Sequence, residues 1–189
     1  MRKSRYFGSL LALGALLTGC AGAPPAEDHE YLLRPEGSEV ASGVGTPVRL
    51  KAVIIPPYLD QKGLVLQTGD AEIQAARHHR WAEPLDEAAG RYLQVGIARQ
   101  SGRPVEIAPL AGEGSRAVIT VRIHQFHGTE TGRVRLVADW SVTPAAGEPI
   151  IHTFDDAVSQ AADGYPSLVT AHAVLLDELA AAIARSLDD

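Results

Sequence analysis

Two neighbouring stretches of the sequence alternate between apolar and polar residues, and they restrict the fold more than any other feature. Within residues 117–127 and 133–143, every second side chain from 117 to 123 and from 134 to 142 is apolar, and most of the side chains between them are polar. This alternation is typical of a β-strand that is buried on one side and solvated on the other. The Gly- and Thr-rich link between the two stretches favours an antiparallel hairpin. The sequence therefore predicts a sheet whose apolar face must be covered. The apolar positions are Ala117, Ile119, Val121 and Ile123, then Val134, Leu136, Ala138, Trp140 and Val142.

Two other segments have the spacing of amphipathic helices. Pro84 suits the first position of a helix that ends near Gly102, and a second helix begins at Gly164-Tyr165-Pro166. Each would carry one apolar stripe. We therefore predict an α+β fold, a mainly antiparallel sheet with two amphipathic helices packed on one face. Further strands are predicted at residues 31–33, 48–55, 64–67, 72–76 and 150–158. The stripes are Leu85, Ala88, Ala89, Tyr92, Val95 and Gly96, and Leu168, Leu175, Leu176, Leu179, Ile183 and Leu187.

The only cysteine, Cys20, follows a short apolar run. Three basic residues precede residues 7–17, which are too few to span a hydrocarbon core of ~30 Å. Leu17-Thr18-Gly19-Cys20 then resembles a bacterial lipobox, which implies a cysteine carrying lipid on sulfur. We therefore predict a signal peptide at 1–19, a lipidated Cys20 with a flexible tether at 20–30, and a single periplasmic domain at 31–189. Ala21, rather than Asp, after the cysteine favours the outer membrane, with the domain on its periplasmic face.

Charge restricts the partners. Without the first nineteen residues, which hold three bases and no acid, the chain has 14 bases, 23 acids and a formal charge of −9. An acidic chain with no basic cluster argues against nucleic acid as a partner. Arg122, Arg133 and Arg135 are expected to share the solvated face of the hairpin, where they either bind acids on a partner or are simply solvated.

Patterns that carry chemistry are absent from the sequence. No two of the seven histidines have helical i, i+4 ligand spacing beside an acid, and we expect them to be exposed or at sheet edges. There is no G-x-S-x-G, P-loop or G-x-G-x-x-G sequence. Alkylation of Cys20 would also exclude thiol catalysis. We therefore predict a protein that is not an enzyme, with no catalytic residue, metal site or cofactor.

Three segments that follow the lipobox in order resemble a known family. They are Pro56-Pro57-Tyr58-Leu59-Asp60, the stretch from Gly63 to Thr68, and Trp81-Ala82-Glu83-Pro84-Leu85. Together with Tyr31-Leu32-Leu33 they are similar to the PqiC (YmbA) family of ABC-type transport auxiliary lipoproteins. The resemblance covers residue 31 to about residue 187.

The resemblance implies a role in lipid transport. Such a protein would be an outer-membrane docking subunit of an MCE-type transenvelope phospholipid transport system that maintains membrane integrity. Its partners would be an MCE-domain periplasmic tunnel protein similar to PqiB and, through the acyl anchor, the outer-membrane bilayer; a homo-oligomer is left open. One alternative is a stand-alone periplasmic lipid-binding lipoprotein. A periplasmic hydrolase is ranked last.

Residue roles follow from the resemblance. Cys20 is the lipid anchor. Seven residues are expected to face the partner, with an ordinary loop and edge strand as the alternative, and four further family positions are expected to be mainly structural. The partner-facing set is Pro56, Pro57, Tyr58, Leu59, Leu64, Val65 and Gln67, and the structural set is Trp81, Glu83, Pro84 and Leu85.

Overall fold

The computed structural model describes residues 26–35, 44–107 and 116–188. Cys20 and the predicted signal peptide lie outside these residues. Eight strands, two α-helices and one 3-10 turn are found in the described part. In chain order they are β1 (His29–Tyr31), β2 (Val48–Ile54), the turn (Pro57–Leu59), β3 (Gly63–Gln67), β4 (Ile73–Trp81), α1 (Leu85–Ser101), β5 (Val105–Ile107), β6 (Val118–Thr129), β7 (Arg133–Thr143), β8 (Ile150–Ser159) and α2 (Tyr165–Arg185).

Strand β6 is the centre of the sheet. One of its edges pairs with antiparallel β7, which in turn pairs with antiparallel β8. The other edge pairs with two parallel strands, with β2 along residues 118–122 and with β3 at residues 128–129. β5 extends the sheet beyond β2, and β4 and β1 extend it beyond β3. The stretch of β6 between β2 and β3 is thus left without a strand partner on that edge, and the turn lies there.

The hydrophobic core lies between one face of the sheet and the two helices. The apolar positions of the β6–β7 hairpin are buried there except Ala117, which is half-buried, and the stripe of α2 from Leu168 to Ile183 is buried as well. By length and composition α2 could cross a membrane, but this stripe packs against the sheet. Gly96 lets α1 approach α2 so closely that a Cβ at this position would lie 2.7 Å from the Cβ of Ala180. The predicted α+β architecture is confirmed, with a sheet that is mixed and mostly antiparallel.

Several elements differ from the prediction. β4 continues to Trp81, because it pairs with β3 on one side and β1 on the other although residues 77–80 do not alternate. β5 was not predicted, since three residues carry no periodicity. Pro84 is the N-cap of α1 rather than its first residue, with extended backbone angles (φ −54°, ψ 132°). A bulge in β6 between Ile123 and Gln125 shifts the alternation, and this shift places Phe126 in the core.

Candidate functional site

The Pro56-Pro57 pair builds a rigid turn beside β6. Pro56 is extended (φ −71°, ψ 153°), and Pro57 starts the 3-10 turn, where a missing N–H costs nothing. The turn closes with hydrogen bonds from the Leu59 N–H to the Pro56 carbonyl (3.0 Å) and from the Asp60 N–H to the Pro57 carbonyl (3.2 Å). Its two prolines leave the backbone little freedom to lose on binding. The turn also directs Tyr58 onto the unpaired stretch of β6.

Tyr58 is fixed there by a short hydrogen-bonded chain. Its hydroxyl lies 3.0 Å from Nδ1 of His127 and 3.4 Å from the carbonyl oxygen of His124. Nε2 of His127 is 3.3 Å from Oε1 of Gln67. The arrangement fits a neutral His127 whose Nε2–H donates to Gln67 and whose Nδ1 accepts from the tyrosine. Tyr58, His127 and Gln67 thereby connect the turn, β6 and β3.

Burial changes the titration of Tyr58 and His127. Burial raises the pKa of Tyr58, and burial together with the Arg135 charge lowers the pKa of His127. Both groups are therefore held neutral near pH 7, and the tyrosine hydroxyl is not activated as a nucleophile. The polar chain instead stabilises the position of the turn.

The seven residues expected to face a partner do not all reach the surface. Pro57 is exposed, and Pro56, Tyr58 and Gln67 are half-buried. Leu59, Leu64 and Val65, by contrast, are at most 5% exposed and belong to the hydrophobic core. These three cannot contact a partner directly in this fold, because their side chains are buried in the hydrophobic core. We call the accessible group, Pro56, Pro57, Tyr58 and Gln67, the turn surface.

The turn surface adjoins the helix-free face of β6, β7 and β8. Arg122, Arg133 and Arg135 share this face, as the alternation predicted. Arg135 pairs with Asp155 (Nη2 to Oδ2, 2.8 Å), and Arg133 donates to the Ala157 carbonyl (3.0 Å). For Arg122 no ion pair is seen among the described residues. Exposed pairs such as Arg135–Asp155 contribute little stability, so their charges remain accessible to a partner.

Behind β6, on the core side, lies a histidine that the sequence did not mark as buried. His172 of α2 is 2% exposed, and its Nδ1–H donates to the Leu168 carbonyl (2.8 Å). Its ring packs edge-on against Phe126 and Trp81, with centroid distances of 4.6 and 5.5 Å. Burial lowers the pKa of His172 to about 4. The expectation of exposed or edge histidines is therefore wrong for His172. It is also wrong for His127, which the turn covers.

The four family positions expected to be structural surround the start of α1. Trp81 and Leu85 are buried in the core. Glu83 is half-buried and forms ion pairs with Arg91 and, at 3.7 Å, with Arg34. Pro84 is exposed at the N-cap. These contacts connect β4 to α1; the structural role itself stays a prediction.

Two further features bear on ligands. Within residues 26–35, 44–107 and 116–188, no group of three or more histidines, cysteines and acids is placed to hold a metal ion. An open cavity of about 370 Å³ lies between β2 and the first turns of α1. Its lining includes the apolar or small residues Leu50, Val53 and Gly90, the cations Lys51 and Arg91, and the carboxylates Asp86 and Glu87.

Comparison with known proteins gives a consistent result. A sequence model described as the ABC-type transport auxiliary lipoprotein component matches residues 31–184. A crystal structure of an uncharacterized protein is 27% identical, with a TM-score of 0.76 over 86% of this chain and 99% of that one. XCC0632 from Xanthomonas campestris, assigned to DUF330, is 11% identical and has the same fold, with a TM-score of 0.64 over 84% and 93% of the two chains. No protein with a curated description matches the sequence significantly.

Proposed function

Because the chain belongs to the family of ABC-type transport auxiliary lipoprotein components, we propose that it is the outer-membrane docking subunit of an MCE-type transenvelope phospholipid transporter. Family membership itself makes it a membrane-anchored lipoprotein of the bacterial envelope and an auxiliary component of an ABC-type transport system. The proposal adds the PqiC (YmbA) branch, the outer membrane, and an MCE-domain periplasmic tunnel protein as partner.

The observation that carries the docking role is the way Tyr58 fixes the Pro56-Pro57 turn. An accessible proline turn that is already ordered loses little conformational entropy when it binds. Its hydrogen-bonded support, Tyr58 to His127 to Gln67, is uncharged and holds the turn in place. The turn surface therefore suits a protein contact better than catalysis, which agrees with an auxiliary family.

The anchor and the domain arrangement complete the proposal. Lipid on Cys20 would hold the protein in the membrane through three acyl chains, more than the roughly two signals that stable anchoring requires. The tether predicted at residues 20–30 is shortened by β1, which begins at His29, and residues 20–28 reach at most about 32 Å when extended. Residues 31–189 would then form the single periplasmic domain that meets the tunnel within this distance of the membrane.

A comparison of two lysine variants tests the turn surface. Pro57→Lys adds a flexible charge at the exposed turn, whereas Gln100→Lys adds the same charge at an exposed position near the end of α1. We expect Pro57→Lys to reduce co-purification of the MCE-domain protein in mild detergent by about tenfold or more, since the loss of one good contact is worth about 1.4 kcal/mol. Gln100→Lys should co-purify like the wild type. Equal co-purification by both variants would contradict docking through the turn.

A stand-alone lipid carrier remains the second candidate because of the cavity beside α1. Its apolar lining could accept one acyl chain. Lys51 could contact a phosphate, since Arg91 is already paired with Glu83 and Glu87. Native mass spectrometry of the domain after delipidation and incubation with phosphatidylglycerol tests this function. A stoichiometric lipid adduct that Gly90→Leu abolishes would favour the carrier, and its absence would eliminate it.

A further inference from the structure

Strand β8 forms a long open edge of the sheet. It pairs with β7 from Ile150 to Ser159 without a bulge, and no strand in the described residues pairs with its other edge. The Gln160 N–H donates to the Gly132 carbonyl (2.8 Å). This bond shows which residues at this end of the antiparallel pair direct their backbone groups toward the neighbouring strand. Even-numbered residues therefore bond to β7, while the N–H and C=O groups of Ile151, Thr153 and Asp155 point outward.

The end of this edge is closed by side chains. The backbone of Ala157 also points outward, but its N–H donates to Oδ1 of Asp156 (2.7 Å) and its carbonyl accepts from Arg133 (3.0 Å). The open part is thus residues 151–155. Proteins usually protect such an edge with lysine, proline or a bulge, and this stretch has none of them.

The side chains around the open edge are apolar and acidic. Ile151 is 70% exposed, and Val174 of α2 is also exposed. Val174 lies one helical turn before Glu178, on the same face of α2. Burial and the nearby Asp156 charge raise the pKa of Glu178. Neither Asp156 nor Glu178 forms an ion pair within the part of the chain that the structure describes, so a cation supplied from outside would relieve their repulsion.

A second copy of β8 does not suit this edge. Residues 150–160 contain two acids and no lysine or arginine, so two antiparallel copies would place carboxylates against isoleucines or against each other. Such an arrangement buries charge without a partner, which is costly. An incoming strand with basic side chains would instead satisfy both the backbone groups and the acids.

We propose that the open edge of β8 binds an extended segment of a partner protein, with apolar side chains on Ile151 and lysine or arginine opposite Asp156 and Glu178. The partner would add one antiparallel or parallel strand to the sheet, and its main chain would bond to Ile151, Thr153 and Asp155. This binding mode rests on the proposed function only for the identity of the partner, a component of the transporter.

A synthetic peptide tests the edge without the transporter. We would add an eight-residue peptide of alternating valine and lysine to the ¹⁵N-labelled protein and measure amide hydrogen exchange. The expected result is new protection at Ile151, Thr153 and Asp155, with no change at His152 and Phe154, whose amides already bond to β7. A matched valine–glutamate peptide should give no protection.

Two variants separate edge pairing from general binding. Thr153→Pro removes an outward N–H and should weaken peptide binding at least about tenfold, whereas Thr153→Val keeps the N–H and should bind like the wild type. If Thr153→Pro fails to fold, Asp156→Lys serves instead, and it should weaken binding of the lysine peptide and permit binding of the glutamate peptide. Asp163→Lys reverses an exposed charge in the loop before α2, and it should leave the binding of the lysine peptide and of the glutamate peptide unchanged.

Three results would overturn the proposal. They are the absence of protection, equal protection by both peptides, and protection that appears without peptide as protein concentration rises, which would show pairing between copies. The co-purification with the MCE-domain protein is a separate readout. If it fails while the peptide binds, the transporter role is wrong and the edge proposal stands; if the peptide fails while co-purification succeeds, the edge proposal is wrong.

Discussion

At the scale of single residues, His172 is the titratable group that the fold changes most. The imidazole is fully buried between Trp81 and Phe126, and burial lowers its pKa to about 4 from an ordinary value of 6.5. The folded protein therefore holds the neutral form at pH values where the unfolded chain takes up a proton. Stability from this group is complete above pH 6.5 and falls as the pH decreases toward 4.

We predict that acid destabilises the wild type through His172. Between pH 7 and pH 4 this group alone should remove roughly 3 kcal/mol from the free energy of unfolding. His172→Gln is neutral at every pH, so its unfolding free energy should fall less steeply over this range, even if its value at pH 7 is lower. Urea unfolding followed by tryptophan fluorescence at several pH values gives the slope of the unfolding free energy against pH for each protein. Parallel slopes for the two proteins would show that His172 is not held neutral.

The residues of the candidate site could be predicted only in part. The Pro56-Pro57-Tyr58 segment was visible in the sequence because consecutive prolines before an aromatic residue are unusual for an ordinary strand end. The burial of His127 was not visible, because the bulge after Ile123 places it opposite Arg135 on the helix-free face, where only the distant Tyr58 turn covers it. The resemblance predicts Leu59, Leu64 and Val65 at the partner interface because it shows which residues recur but not which way they point.

At the scale of secondary-structure elements, the contact between α1 and α2 depends on one glycine. A Cβ at Gly96 would lie 2.7 Å from the Cβ of Ala180, which is too close for the helices to keep their spacing. A Cβ at Gly90, in the same helix, would meet only Cγ2 of Val53 at 3.9 Å, an ordinary contact. The two glycines therefore lie in the same helix but differ in the room that each has for a Cβ atom.

We predict opposite effects for alanine at these two positions. Gly96→Ala should destabilise the protein by about 1–3 kcal/mol because the helices must separate. Gly90→Ala should stabilise it by up to about 1 kcal/mol, since alanine favours the helix and has room. Thermal unfolding of both variants by circular dichroism measures the difference. If both are stabilised, the helices are not in close contact at Gly96.

Helices and strands whose apolar residues recur at a regular spacing could be predicted, and those without such a spacing could not. The β6–β7 hairpin and the stripes of both helices follow directly from alternation and helical spacing. β4 contains Arg77-His78-His79-Arg80, four polar residues in succession, and is a strand only because β1 and β3 pair with it. β5 is a strand because three residues after Pro104 lie along β2. Such elements depend on pairing over long distances in the sequence.

At the scale of the whole molecule, the sheet separates the core from the binding surfaces. Both helices cover one face, which leaves the turn surface and the arginines on the other face and the open edge of β8 at the side. The unpaired stretch of β6 that holds the turn results from the parallel pairing of both β2 and β3 with one edge of β6. The sequence predicted the layers but not this pairing, because parallel neighbours carry no local turn signal.

We propose that the protein is an outer-membrane lipoprotein that docks a transporter. The most direct measurement is membrane fractionation of cells that produce the tagged wild type or Cys20→Ala, with mass spectrometry of co-purifying proteins and of the N-terminus. We predict that the wild type carries lipid on Cys20, fractionates with the outer membrane and brings down an MCE-domain protein, and that Cys20→Ala leaves the membrane fraction. A wild type that is lipidated but lacks an MCE-domain partner, or that fractionates with the inner membrane, would contradict the claim.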